Sequence, residues 1–158
     1  MALYIAICDD NIADRKQIER LFNREKDSRL KKNDEVLYID AYGSPEALMH
    51  TPFKYDVFLL DITGGSQNGL DIAKAIRQAG ITAPIELMIS TIDYSSFSNI
   101  PDNTSFITKP VNQGHISHIV DIAKAWSKER PPVLELRGKK ETVFAGEKDL
   151  VRAISKNG

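Results

Sequence analysis

The 158-residue sequence has little of what staples or anchors a chain. Its single cysteine, Cys8, cannot form an internal disulfide, and inside an apolar run it reads as a small core residue rather than a reactive thiol. The three histidines, His50, His115 and His118, have no cysteine cluster beside them, which argues against a zinc site. Long hydrophobic runs are missing: Val57 to Leu60 and Ile85 to Ile89 fall far short of the roughly 18 residues of a membrane span. Met1 to Cys8 lacks the charged flank, long apolar core and cleavage site of a secretion signal, so a cytoplasmic location is expected. Neither charge dominates, with 21 Lys+Arg against 22 Asp+Glu. A chain of this length buries on the order of 68–70% of its unfolded surface and needs no disulfide or structural metal to hold a core.

What is present is an alternation of apolar runs and amphipathic stretches. Leu3 to Cys8 is a buried strand ending on Asp9-Asp10. Helical spacing follows through Ile18, Leu21 and Phe22 to about Lys32, its charges from Arg15 onward forming a solvated face. Val36 to Ala41 is a second strand, and Ser44-Pro45-Glu46 starts a helix with Ser44 as cap. Val57 to Leu60 is a third strand, apolar on successive residues as when both faces of a parallel sheet are covered, and it ends on Asp61. Leu70, Ala73 and Ile76 mark a helix closed by Gly80. Ile85 to Ile89 is a fourth strand, Ile92 to Ser105 a polar loop or weak helix, and Phe106-Ile107 a brief fifth strand. Ile116, Ile119, Val120 and Ala123 define the last helix, reaching Trp126. Ile122 and Trp126 lie off its core stripe and suit a partner surface or helix-end packing. Five strands alternating with about five helices predict an α/β fold, a parallel doubly wound sheet covered on both sides.

Pro131-Pro132 breaks this pattern. The expected organisation is therefore a domain over 1–129, a stiff linker over 130–132 and a β-rich tail over 133–158 with three strand-like runs. The tail carries six basic and four acidic residues, a weak footprint for nucleic acid.

In such a sheet, ligands bind beyond the carboxyl ends of the strands, where strand order reverses. Asp9, Asp10, Asp61, Ser90 and Lys109 all fall at such ends. Three gathered carboxylates repel one another unless a cation intervenes, and a hard divalent ion with oxygen ligands, most simply Mg²⁺, answers that need. The set suits phosphoryl transfer onto a carboxylate, with Asp61 as nucleophile forming an acyl phosphate. Asp10 would hold the metal directly and Asp9 directly or through water. The Thr63 backbone carbonyl is a further candidate ligand, and Ser90 and Lys109 would meet the phosphoryl oxygens. Ser90 is preferred to the adjacent Thr91 because it comes first after the apolar run. Gly69 reads as a backbone requirement rather than a contact.

Ile5-Ala6-Ile7-Cys8-Asp9-Asp10-Asn11, Phe58-Leu59-Leu60-Asp61-Ile62, Asn68-Gly69-Leu70-Asp71 and Thr108-Lys109-Pro110-Val111 together resemble the receiver domain of two-component response regulators, over about residues 1–127. The resemblance implies a flavodoxin-like fold and an acid pair, Asp9 and Asp10, that binds Mg²⁺. It implies phosphorylation of Asp61 by a sensor histidine kinase, with Ser90 and Lys109 sensing the phosphate. Phe106 stands at the family's aromatic switch position. It further implies a non-enzymatic phosphoacceptor role, a switched surface that can form a homodimer, and output in transcription control.

The tail resembles the opening strands of a LytTR-type DNA-binding domain through Leu134-Glu135-Leu136-Arg137 and Asp149 to Ile154, so DNA contact is expected only through a fuller domain than 133–158. Two departures stand out. Gly64-Gly65-Ser66 replaces the Met-Pro often found after the phosphorylated aspartate, and Asp93 to Ser105, with Pro101, implies a shortened or disordered output face. They keep a rival open, a phosphorylation-independent interaction adaptor on the same fold. A haloacid-dehalogenase-like phosphatase would need a second acid where Thr63 stands.

Overall fold

The computed structural model describes residues 1–33, 35–62, 69–90 and 99–129. The expectations for Thr63, the Gly64-Gly65-Ser66 stretch, the linker at 130–132 and the strands of the tail lie outside the described residues, as does 91–98 of the polar stretch.

Five strands, β1 (Ala2–Cys8), β2 (Val36–Tyr42), β3 (Val57–Asp61), β4 (Ile85–Ile89) and β5 (Thr104–Thr108), form one parallel sheet in the order β2-β1-β3-β4-β5. Strand order reverses between β1 and β3, so the crevice for ligands opens beyond Cys8 and Asp61. β3 and β4 are buried along their whole length, which explains why they read as apolar runs on successive residues, broken only by Glu86 in β4 and closed by Asp61 in β3. β5 is longer than the expected Phe106-Ile107: Thr104 and Ser105 pair with Ile85 and Glu86. An edge strand leaves one side to solvent, so its polar residues do not mark a loop.

Alternation along the strands makes two cores. Leu3, Ile5, Ile7, Val57, Leu59 and Met88 face helices α1 (Ile12–Asn33) and α4 (Gln113–Glu129), meeting Phe22 and Ile119. Ala6, Cys8, Phe58, Leu60, Ile85 and Leu87 face α2 (Pro45–Leu48) and α3 (Gly69–Gln78), meeting Leu48 and Ile76. Trp126 is half-buried and packs against this second core. Each fully buried Leu, Ile or Phe side chain contributes on the order of 1.5–3 kcal/mol, so these two layers carry most of the stability.

Ser44 caps α2 as expected, its hydroxyl accepting from the Ala47 amide at 3.4 Å. The helix lasts one turn, because the residue before Pro52 is pushed out of helical geometry, and a 3-10 turn, Pro52–Lys54, follows. Tyr42 and Tyr55 close the space beside it: their hydroxyls are hydrogen-bonded, and Tyr55 donates to Asp40 at 2.7 Å. α3 ends before Gly80, whose φ of +86° suits glycine.

The charged stretch of α1 departs from a plain solvated face. Arg29 is buried and reaches Glu25 at 2.8 Å, Glu35 at 3.4 Å, Asp121 at 2.9 Å and the Ser117 carbonyl at 3.0 Å, tying α1 to α4. Glu35, also buried, pairs with Lys124 as well. Burial alone would raise the Glu35 carboxyl, but Lys124 and Arg29 outweigh it and hold it below its ordinary range.

Candidate functional site

The edge at the β1–β3 reversal collects the acids. Asp9 follows β1 with its amide donating to the Tyr42 carbonyl at 3.0 Å, and Asp61 closes β3. Both are buried, whereas Asp10 is exposed at the mouth. One carboxylate oxygen from each of the three lies within 4.8 Å of the others. Asn11 holds the loop in place: its amide donates to Asp9 Oδ1 at 2.9 Å, and its own Oδ1 accepts from the Asp14 amide at 2.9 Å, capping α1. Arg15 adds a bond from Nη1 to the Asp9 carbonyl at 2.8 Å.

Gly69 opens α3 directly against this edge. A Cβ there would sit 2.6 Å from Ile62 Cγ2 and 2.8 Å from the Asp61 carbonyl oxygen, so glycine is a steric requirement.

Lys109 arrives from beyond β5, its amide bonded to the Ile89 carbonyl at 2.7 Å. Its ammonium lies 3.0 Å from Asp14 Oδ2, 3.1 Å from Asp61 Oδ1 and 3.4 Å from Asp9 Oδ2. Burial pulls its proton affinity down, but Asp14, Asp9 and Asp61 together raise it above the ordinary value, so the ammonium stays charged. Asp9 is raised too: burial dominates, Asp61 adds to it, and the Asn11 amide and Lys109 oppose it.

The donor set fits a hard divalent cation. It consists of carboxylate oxygens only, in mutual reach, and with Asp9 burdened by burial and a like charge that a cation would relieve. Asp9, Asp10 and Asp61 would hold it.

Ser90 follows β4 directly and is exposed at the same carboxyl edge. Phe106 sits mid-way along β5 beside Leu87, half-buried against the second core. The structure thus brings Asp9, Asp10, Asp61 and Lys109 together, with Ser90 on the same rim. Sequence reasoning missed Asn11 and Asp14. The Asn-x-x-Asp spacing of a helix cap was the available signal, since it fixes Asp14 on the first turn of α1, facing the edge.

No family model matches the sequence, and no curated protein is detectably similar to it. Solved structures do share its fold. A CheY-like response regulator receiver domain protein from Methanospirillum hungatei is 15% identical with a TM-score of 0.63, covering 80% of this chain and 98% of that one. The BeF3-activated DrrB receiver domain is 16% identical with a TM-score of 0.61, covering 82% and 100%. The response regulator TrrA from Thermotoga maritima, in complex with Mg²⁺ and beryllofluoride, is 23% identical with a TM-score of 0.60, covering 77% and 98%. The chain has the receiver fold of these proteins.

Proposed function

We propose that this chain is a phosphoacceptor signalling domain, a response regulator of a two-component system that takes a phosphoryl group onto Asp61 from a sensor histidine kinase. The observation that carries this reading is the convergence of Asp9, Asp10 and Asp61 within 4.8 Å at the strand-order reversal, with the Lys109 ammonium 3.1 Å from Asp61.

Asp9, Asp10 and Asp61 would hold Mg²⁺, which supplies neutralising charge for the oxygens of the group in transfer. An Asp61 carboxylate oxygen attacks phosphorus, forming the acyl phosphate as the bond from phosphorus to the donor imidazole nitrogen breaks and its electron pair returns to the ring. Lys109 then exchanges a carboxylate partner for a phosphoryl oxygen, and the Ser90 hydroxyl supplies a second hydrogen bond. Moving these two groups biases the β4–β5 surface between two arrangements, with Phe106 as the side chain that responds. The domain is not a catalyst on other molecules but a cytoplasmic switch. Its output is a dimerising surface and, through a LytTR-like domain fuller than residues 133–158, control of transcription.

Incubation with Mg²⁺ and a small acyl-phosphate donor, followed by intact mass, tests the reading. One added phosphoryl group is expected on the wild type and none on Asp61→Ala or without Mg²⁺. Equal labelling of Asp61→Ala would overturn it. An unlabelled wild type with no Mg²⁺ affinity at millimolar concentration would leave the phosphorylation-independent adaptor.

A further inference from the structure

We infer that Asp14 is a positioning residue that keeps the Lys109 ammonium at the rim of the acidic cup, so that Asp9, Asp10 and Asp61 remain open to a cation. The inference rests on the phosphoacceptor reading and deepens it.

The geometry is a closed circuit. Asn11 bonds Asp9 through its amide and fixes the first turn of α1 through its side chain, which sets the Asp14 backbone. Lys109 Nζ lies 3.0 Å from Asp14 Oδ2 and 3.1 Å from Asp61 Oδ1, while Asp9, fully buried at its side chain, is the farthest of the three carboxylates at 3.4 Å. An ammonium has three donors. With Asp14 present, one is drawn outward to a half-exposed acid and the contact with Asp9 stays long. Without it, the ammonium settles between Asp9 and Asp61, two of the three carboxylates of the cup, and opposes an entering cation there. Asp14 also stands with Lys109, Gln17, Ile18, Pro110 and Val111 around an open cavity of about 350 Å³, so the ammonium has room to lie on the Asp14 side.

The test is Mg²⁺ affinity by calorimetry in about 0.5 M KCl, where charges beyond roughly 4–5 Å are screened. Asp14→Asn is expected to weaken Mg²⁺ binding about threefold, the scale of one partly exposed ion pair. Asp14→Glu should restore it, and Asp27→Asn, which removes the same charge from the exposed far part of α1, should leave it unchanged. In a Lys109→Gln background, Asp14→Asn should have almost no effect. Wild-type affinity in Asp14→Asn, or an equal loss in the Lys109→Gln background, would overturn the inference while the phosphoacceptor reading stands. A wild type that neither binds Mg²⁺ nor takes up phosphate would overturn both.

Discussion

Glu86→Gln should reverse part of the pH dependence of folding. Glu86 lies in β4 between Leu59 of β3 and Ser105 of β5, on the face that packs against α1 and α4, and is 3% exposed. No basic side chain among the described residues pairs with it, and burial pushes its carboxyl up from 4.5 to about 7. The folded chain therefore keeps a proton that the unfolded chain releases at lower pH. Stability linked to this group is fully present below about 4.5 and is lost as pH rises through about 7. The loss across that window is about 3 kcal/mol, at 1.36 kcal/mol per pH unit of displacement. Glutamine has nearly the shape of the protonated acid and cannot ionise. In urea titrations the variant should match the wild type near pH 4 and exceed it by up to about 3 kcal/mol at pH 8, a rise in Tm of several degrees. A difference that stays constant from pH 5 to pH 8, or a variant weaker at pH 8, would refute the reasoning.

Arg29→Met should destabilise the domain by about 3 kcal/mol in urea, because it leaves buried Glu35 with less positive charge, and Arg29→Met combined with Glu35→Leu should recover most of that loss. Glu35 is depressed rather than raised, so its stability is present above about 4.5 and lost as pH falls; the deficit of Glu35→Gln should be large at pH 7 and shrink toward pH 3. Gly69→Ala should cost about 1–3 kcal/mol and slow phosphoryl uptake, since the Asp61 carbonyl, unlike the Ile62 side chain, cannot swing away from the new methyl. An alanine variant with wild-type stability and labelling would contradict that.

The sheet and the acids were legible for one reason. In a parallel sheet covered on both faces each strand is an apolar run, and Asp9, Asp10 and Asp61 announce themselves by ending such runs. Edge strands break the rule, so Thr104 and Ser105 read as loop although they pair with Ile85 and Glu86 of β4. Charges are legible only when their partners are near in sequence. Arg29 looks like any solvated helix residue, yet it bonds Ser117, 88 positions away. Asp14 likewise meets Lys109 only because the fold returns the chain to the same edge, 95 positions later. Glu86 lies inside an apolar run, and nothing local says whether its carboxyl escapes to water.

The central claim is that one edge of the sheet carries both a cation and a phosphoryl group. A crystal structure with Mg²⁺ and beryllofluoride, the mimic of a phosphorylated aspartate, tests it most directly. The expected result is the metal bound by Asp9, Asp10 and Asp61, beryllofluoride on Asp61, and Lys109 turned from Asp14 onto a fluorine. Metal and beryllofluoride bound elsewhere, or neither at saturating concentration, would contradict the account.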